Sequence, residues 1–295
     1  MTQEAVLQRL GFKVHLKLGG RAFVVEKQNQ LFLAKVALTT KERKRIRAEV
    51  KNLSSILQAS QNLKLSALVL PQIIHHQDTS TYTFLQLKFY DFPVAWSEME
   101  PQNSVLGGRL APLQLIKPLL SVIADLKKFP HHTLVFKNRQ TTRSSLQKEL
   151  SKLSSALTNT PFELQPLHRY LQKAFPSLPS LRPKLIPTNG DFYFRNFILW
   201  QGRVVVADWE SACLAPPEEI SAYLWMLAFQ NPLWQQKWLV ACRRQSWFDP
   251  QLFNFFAVLT TLRQIHFWLP QKDRYPLSCS LTRLVQNAHQ LLARL

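Results

Sequence analysis

Hydrophobic and polar residues follow a strand pattern over residues 1–90. Residues 12–18 alternate strictly between apolar and polar side chains, which is typical of a half-buried β-strand. Gly19-Gly20 ends this run, and residues 28–30 separate the next two runs as a short turn would. The predicted strands cover residues 12–18, 22–26, 31–36, 67–74 and 82–89. We therefore expect a meander of antiparallel strands.

One helix interrupts the predicted strands. Ile46, Val50, Leu53 and Leu57 recur at steps of three and four, which predicts an amphipathic helix over residues 40–57. Helical spacing then dominates the second part of the chain. The further predicted helices cover residues 112–129, 142–157, 162–174, 234–243, 253–268 and 281–292.

The change of pattern near residue 90 predicts two lobes. Residues 197–200 and 203–207 interrupt the helices as a predicted hairpin, with Gln201-Gly202 as its turn. We expect an α+β chain with a small antiparallel β lobe at residues 1–90 and a larger helical lobe at residues 91–295.

The charge of the chain is strongly unbalanced. Lys and Arg number 37 against 18 acids, which gives a formal net charge of +19, while 46% hydrophobic residues suffice for a large core. Such an excess favours polyanionic partners, namely nucleic acid, an anionic membrane or phosphorylated ligands, without choosing among them. The basic run at residues 41–47 could contact nucleic acid, but the exposed face of the first predicted helix is the simpler interpretation.

Cysteine usage and the N-terminus bear on the compartment. Cys213, Cys242 and Cys279 lie far apart and form no Cys-x-x-Cys pair, which argues against a disulfide framework or a structural zinc site. The first residues lack the basic start and apolar block of a secretory signal, and no apolar run approaches the roughly 20 residues that a spanning helix needs. We expect a cytoplasmic protein with no transmembrane segment.

A cluster of polar residues in the second half of the chain carries the chemistry. Asp191 and Asn196 lie five positions apart in a predicted loop, and Asp208 ends the predicted hairpin. Carboxylate and amide oxygens suit a hard divalent cation, and a remaining carboxylate can accept the proton of a hydroxyl nucleophile. Ordinary turn formation by Asn and Asp is the alternative interpretation of these residues.

The layout of this cluster resembles the aminoglycoside phosphotransferase and choline kinase-like family. Its signature is a His-Gly-Asp-x4-Asn loop, a hairpin and then Asp-Trp-Glu or a close variant, and the chain has Gly190-Asp191, Asn196 and Asp208-Trp209-Glu210 at matching positions. Asn189 stands where the family has His, which puts turnover in question. The resemblance implies a protein-kinase-like fold and ATP- and Mg²⁺-dependent transfer of a phosphoryl group to the hydroxyl of a small molecule or saccharide.

The resemblance also implies roles in the second half of the chain. Asp191 would be the catalytic carboxylate, with Asn196 and Asp208 binding Mg²⁺. Arg195, beside this loop, could bind a phosphoryl oxygen as a charge clamp, although a surface arginine explains it equally well.

Further roles fall on the predicted β lobe. Lys35 would hold the nucleotide phosphates. Glu49, 14 positions later and next to the apolar face of the predicted helix, would position Lys35. The glycine pair Gly19 and Gly20 could form a turn over the phosphates. The segment Gln86-Leu87-Lys88 would offer backbone groups to adenine as a hinge.

Two functions remain open from the sequence. The short stretch between Asp208 and Pro217 leaves no room for the peptide platform of a protein kinase, so a small-molecule acceptor is favoured. Glu218 and Glu219 could bind a cationic acceptor, but the net charge favours a neutral or anionic one. The alternative is a catalytically impaired kinase-like module whose basic surface binds nucleic acid or an anionic membrane. The oligomeric state is not specified by the sequence.

Overall fold

A five-stranded antiparallel sheet and a group of helices, joined by a smaller sheet, make up this computed structural model. It describes residues 1–90, 113–136, 139–156, 160, 162–181, 185–193, 196–271 and 278–293. The strands are β1 Lys13–Gly19, β2 Ala22–Lys27, β3 Gln30–Ala37, β4 Leu68–Val69, β5 Ile73–Asp78, β6 Thr83–Lys88, β7 Ile186–Thr188, β8 Phe197–Trp200, β9 Arg203–Val206 and β10 Cys213–Ala215. The helices are α1 Gln3–Arg9, α2 Thr40–Ser60, α3 Ile116–Leu126, α4 Arg143–Ala156, α5 Gln165–Ala174, α6 Pro217–Leu227, α7 Pro232–Arg243, α8 Pro250–Trp268 and α9 Ser278–Leu292.

The N-terminal sheet has the strand order β1-β2-β3-β6-β5. Its β2–β3 turn consists of Gln28 and Asn29, both with positive φ (53° and 61°), the conformation that matches the twist of a two-residue hairpin. Strand β1 forms as predicted, but the expectation that it is half-buried is wrong. It lies at the edge of the sheet, and Leu16 and Leu18 on its apolar face are 47% and 41% exposed.

The predicted strand at residues 67–74 is wrong as a single element, because Leu70-Pro71-Gln72 divides it. Proline has no N–H to donate to a ladder, so the chain changes sheet at this point. Strand β4 before the break pairs in parallel with β9, whereas β5 after it joins the N-terminal sheet. Through its pairing with β9, strand β4 therefore connects the first 90 residues to the helical part. The proposed lobe boundary near residue 90 stays a prediction, because residues 91–112 lie outside the described ranges.

Helix α2 links the sheet to the helical part. Ile46 and Leu53 on its predicted apolar face are fully buried, and so is Ile56. These residues belong to one hydrophobic core that continues through Trp209 into the helices that follow. Because α2 packs against the short 3-10 helix Trp209–Ser211, it sets the position of the β8–β9 hairpin end relative to the sheet.

Aromatic side chains at helical spacing fill the core of the helical part. Trp234 and Trp238 on α7 stack with ring centroids 5.1 Å apart, and Phe253 at the start of α8 is fully buried against Trp225. None of the helices in the described ranges combines the length and the hydropathy that crossing a membrane requires.

Asp125 holds α3 against the linking strand β4. This carboxylate is fully buried and accepts hydrogen bonds from the backbone N–H groups of Ala67 (2.7 Å) and Leu68 (2.9 Å) and from Lys128 (2.6 Å). Burial opposes its charge, but these donors outweigh the effect and lower the pKa of Asp125. An ionised carboxylate therefore fixes one of the connections between the sheet and the helices.

Candidate active site

Lys35 and Glu49 form a buried ion pair. The Nζ atom of Lys35, on β3, lies 2.8 Å from both carboxylate oxygens of Glu49, on α2. Both side chains are at most 9% exposed. The helix period explains the contact, because Glu49 lies three residues after the buried Ile46 and therefore faces the sheet.

A second carboxylate completes the environment of Lys35. Its Nζ also donates to Oδ1 of Asp208, 2.8 Å away. Burial lowers the tendency of Lys35 to carry charge, but the carboxylates of Glu49 and Asp208 outweigh burial and raise its pKa. Lys35 is therefore a cation that points from the sheet towards the end of the β8–β9 hairpin.

Asp208 is held in an uncommon backbone conformation. Its φ and ψ are 61° and 66°, in the left-handed region that asparagine and aspartate adopt more readily than other non-glycine residues. Trp209, directly after it, is fully buried and donates its indole N–H to Val206 O (2.7 Å). On the other side, Asn52 of α2 donates to Trp209 O (2.9 Å). These contacts fix the backbone that presents Asp208.

Asn189 is the centre of the loop that carries Asp191. It is fully buried, and its Nδ2 donates to Ala207 O (2.8 Å) and to Asp191 O (3.1 Å). Its Oδ1 accepts the backbone N–H of Asp191 (3.2 Å). One amide side chain thus joins the Asp191 loop to the residue before Asp208, using both its donor and its acceptor.

Gly190 is required at its position by the close approach of two loops. Its φ is +78°, and a Cβ atom there would lie 2.1 Å from the carbonyl oxygen of Ser211. Any other residue would push the Asp191 loop away from the segment that follows Asp208.

Asn196 lies next to Asp191. The side-chain Nδ2 of Asn196 donates to Asp191 O (2.7 Å) and to Asp191 Oδ2 (3.2 Å). The backbone carbonyl oxygen of Asn196 accepts the N–H of Ala207 (2.8 Å). Because the amide nitrogen faces Asp191, the amide oxygen is the atom that could bind a cation. Arg195 lies outside the described residues.

Glu210 adds a carboxylate that the sequence analysis did not assign. Carboxylate oxygens of Glu49, Asp208 and Glu210 all lie within 4.8 Å of one another. Arg21, directly after the glycine pair, forms an ion pair with Glu210, and Arg45 of α2 lies 3.9 Å from it. The Arg21–Glu210 pair joins residues 189 positions apart and connects the β1–β2 turn to the segment after Asp208.

Comparison with known proteins places this arrangement in a fold. No protein-family model matches the chain, and no match is found among curated proteins. Solved structures do match. An apo form of a thermostable mutant of aminoglycoside phosphotransferase APH(4)-Ia has a TM-score of 0.67 at 11% identity, over 99% of each chain. The AMP-bound spectinomycin phosphotransferase APH(9)-Ia has a TM-score of 0.60 at 12% identity, over 98% of this chain and 94% of that one.

A choline kinase gives the same result. Choline kinase LicA from Streptococcus pneumoniae has a TM-score of 0.56 at 13% identity, over 99% of each chain. The chain has the fold of these phosphotransferases. This confirms the protein-kinase-like fold predicted from the sequence, with an antiparallel sheet lobe and a larger helical part.

The glycine pair of this kinase-like fold lies where strand β1 passes into the β1–β2 turn. Gly19 and Gly20 have φ values of +129° and +53°, and a Cβ at either position would meet no atom within 4 Å. Since Gly19 pairs with Ala22, the turn has only two residues, Gly20 and Arg21. The turn is therefore tight, and the space next to the two glycines is not filled by other atoms of the described chain.

Residues 86–88, the predicted hinge for adenine, lie within strand β6. Strand β6 lies between β3 and β5 and pairs with both, so the sheet uses backbone groups of Gln86 and Leu87. The N–H of Lys88 donates to Gln72 O (2.9 Å). The role of this segment as a backbone partner of adenine stays a prediction, and the backbone groups that it would offer already take part in sheet pairing. The chain leaves the sheet only after Lys88.

A cavity of about 500 Å³ opens beside the Asp191 loop. Gly190 and Phe192 form one side of it, and Tyr223 of α6 another. Burial, together with the nearby Tyr193 and Asp191, raises the pKa of Tyr223 well above its usual value, so its phenol is neutral. The cavity is thus lined by both chain neighbours of Asp191 and by Tyr223, whose pKa the charge of Asp191 helps to raise.

Two acids expected at a substrate pocket are already bound. Glu218 is fully buried and accepts the backbone N–H of Asp249 (3.1 Å). Glu219 lines the cavity and is paired with Arg263 (2.6 Å). No local pattern identifies Asn52, Arg21 or Arg263, because each contacts a partner far away in the chain.

Proposed function

We propose that the protein is an ATP- and Mg²⁺-dependent phosphotransferase that moves the γ-phosphate to a hydroxyl group of a small molecule or saccharide. The observation that carries this proposal is the contact of Lys35 with both Glu49 and Asp208. Proteins of this fold were solved with such ligands. APH(4)-Ia formed ternary complexes with ADP and hygromycin B and with AMP-PNP and hygromycin B.

Lys35 is the proposed phosphate-binding residue. Its ammonium group is charged and fixed by Glu49, so it can pair with phosphate oxygens without first being ordered. The open turn at Gly19 and Gly20 offers space for phosphates beside the sheet. ATP is the proposed nucleotide, and its binding between this turn and the segment after Asp208 would require the Arg21–Glu210 ion pair to open.

The oxygen donors near Lys35 fit Mg²⁺. Asp208 and Glu210 supply carboxylates and Asn196 an amide oxygen, which are the ligands that Mg²⁺ prefers, whereas both oxygens of Glu49 already bind Lys35. Asn196 and Asp208 are the proposed metal ligands, and Glu210 is a third donor. When bound, the ion neutralises charge on the transferring phosphoryl group.

Asp191 is the proposed catalytic carboxylate. It accepts the proton of the acceptor hydroxyl while that oxygen forms a bond to the γ-phosphorus. The bond between the γ-phosphorus and the β–γ bridging oxygen breaks, and ADP leaves with its electron pair. Asn196 and Asn189 orient the Asp191 loop, so the carboxylate need not reorganise during the step.

The replacement of His by Asn189 does not favour the impaired binding module. The three hydrogen bonds of Asn189 connect the Asp191 loop to the end of β9, so this side chain supports the site.

A cytoplasmic location is also part of the proposal. It rests on the cysteine spacing, since Cys213, Cys242 and Cys279 lie far apart in the sequence and form no Cys-x-x-Cys pair.

A paired assay tests the proposed function. ADP release is followed with a panel of sugars, amino alcohols and antibiotics, and nucleotide binding is measured by calorimetry on the same preparations. An active acceptor should stimulate the wild type, and Asp191→Asn should lower transfer by about 10²–10⁴-fold with nearly unchanged Mg²⁺-ATP affinity. Transfer by Asp191→Asn at the wild-type rate, or a wild type that no acceptor stimulates, would contradict the proposal.

A further inference from the structure

The cavity beside the Asp191 loop contains charged side chains of both signs. Its wall includes Glu149 of α4, Glu219 of α6, Arg263 of α8 and Arg139. Because Gly190 and Phe192, the chain neighbours of Asp191, line the same cavity, an acceptor whose hydroxyl reaches Asp191 would lie next to these charged groups. Their hydrogen bonds therefore determine which acceptor charge the cavity favours.

Both acids of the cavity are fully engaged. Arg263 donates to the two oxygens of Glu149 through Nε (2.6 Å) and Nη2 (2.7 Å), and to Oε1 of Glu219 through Nη1 (2.6 Å). The hydroxyl of Thr141 donates to Oε2 of Glu219 (2.7 Å). Each of the four carboxylate oxygens thus has a donor.

This arrangement disfavours a cationic acceptor. An ammonium group could bind Glu149 or Glu219 only by displacing a guanidinium that holds them in planar, preorganised geometry. Burial opposes the charge of Arg263, but Glu219 and Glu149 outweigh it and raise the pKa of this residue, so the guanidinium stays charged. The three side chains hold α4, α6 and α8 together and have a structural role.

Arg139 differs from Arg263. Its side chain is exposed at the cavity, and within the described part of the chain it makes no hydrogen bond or ion pair. Its backbone is fixed, because Arg139 O accepts the N–H of Leu214 (2.7 Å) and Thr141 N–H donates to Leu214 O (2.9 Å). Among the described residues, Arg139 thus offers a guanidinium without a carboxylate partner at the cavity wall, on a backbone segment fixed by these two hydrogen bonds.

We propose that the acceptor carries an anionic group, a phosphate or a carboxylate, which binds Arg139 while a hydroxyl of the same molecule faces Asp191. The proposal rests on the proposed phosphotransfer and names its substrate class. Guanidinium groups recognise both anions through paired hydrogen bonds, so the chemistry is shared by sugar phosphates and sugar acids. The same charges disfavour polyamines such as aminoglycosides, because both acids are already paired with Arg263.

Matched compounds test the charge preference. Glucose, glucose 6-phosphate, glucuronate, glucosamine and inorganic phosphate are titrated calorimetrically into the protein with AMP-PNP and Mg²⁺. We expect one or both anionic sugars to bind at least about tenfold more tightly than glucose, and glucosamine to bind more weakly than glucose. Arg139→Met should abolish this preference. Lys152→Met, which removes the same charge from an exposed position on α4, should retain it.

Three results would overturn the proposal: equal or tighter binding of glucosamine, an unchanged anion preference in Arg139→Met, or no binding by any anion of the panel, inorganic phosphate included. ADP release with the same compounds separates this proposal from the proposed function. Arg139-dependent anion binding without any ADP release would contradict phosphotransfer but not the anion site. Transfer to an uncharged or cationic acceptor would contradict the anion site but not phosphotransfer.

Discussion

The ammonium nitrogen of Lys35 lies 2.8 Å from Oδ1 of Asp208, a residue 173 positions later in the chain. The proposed phosphate-binding lysine is thus in direct contact with a proposed metal ligand. Because Lys35 is also bonded to Glu49, its position does not depend on Asp208. Nucleotide with its metal can therefore draw Asp208 away while Lys35 stays in place.

Asp208→Asn should abolish Mg²⁺-dependent transfer and leave the fold intact. Asparagine tolerates the left-handed backbone of this position and can still accept a hydrogen bond from Lys35, but it lacks the charge that a divalent cation requires. We expect ADP release to fall by about 100-fold or more, with a Tm within a few degrees of the wild type.

Asp208→Ala serves as the comparison for Asp208→Asn. It should be less stable by about 1–2 kcal/mol, since alanine is strained at positive φ. A folded Asp208→Asn variant with wild-type Mg²⁺-dependent activity would refute the metal assignment.

Lys35→Met should weaken ATP binding and also destabilise the protein. It leaves the buried Glu49 without its cation, and breaking a buried pair in this way costs about 3–5 kcal/mol. Burial already raises the pKa of Glu49 in the wild type, and removal of the Lys35 cation, which opposes this shift, raises it further, so the variant should lose more stability than the wild type as the pH rises from 5 to 8. Urea unfolding at several pH values measures this effect.

Glu49→Gln should cause a smaller loss of ATP binding than Lys35→Met. It removes the charge that orients Lys35 but keeps both the phosphate contact and the bond to Asp208. Its stability should not share the fall between pH 5 and 8, because no ionisable group remains at this position. Equal losses of nucleotide affinity in the two variants would argue against a positioning role for Glu49.

Asn189→Asp should lower both the Tm and the transfer rate. The new carboxylate would face Ala207 O and Asp191 O, which now accept from the amide, in a fully buried site. We expect a loss of about 3 kcal/mol. Asn189→Ala removes the same donors without adding charge and should lose less. An Asn189→Asp variant as stable as the wild type would show that this amide does not support the loop.

Asp125 should contribute to stability in a pH-dependent way. Its pKa is lowered in the folded protein, so its contribution is complete above the unfolded value of about 3.9 and is lost as the pH falls below it. Asp125→Asn should be less stable than the wild type by about 1.5–3 kcal/mol at pH 7. Denaturant unfolding should show this difference shrinking below about pH 4, whereas a constant difference would exclude the linkage.

Local spacing determined much of the proposed site. The period of α2 put Glu49 beside Ile46, so its contact with the sheet followed from the sequence. The turn residues at Gln28-Asn29 and Gln201-Gly202 determined two hairpins, since both pairs adopt the positive φ that such turns need. These features depend on a few neighbouring residues, and a pattern can therefore show them.

Other features depended on packing between distant segments. The alternation of residues 12–18 predicted a strand but could not show that β1 is an edge with Leu16 and Leu18 exposed. The parallel pairing of β4 with β9 could likewise not be predicted from the sequence, because a strand of two residues is too short to show an alternation of apolar and polar side chains.

The charge of the cavity was decided by the tertiary structure alone. The sequence showed Glu219 as an acid near the proposed site, and it offered a cationic acceptor as one option. Only folding brings Arg263 to Glu149 and Glu219, which lie 114 and 44 positions away, and so satisfies both acids. The sequence fixes which charges the chain carries and where local turns and helices form, whereas the pairing of charges depends on distances that exist only after the helices have packed.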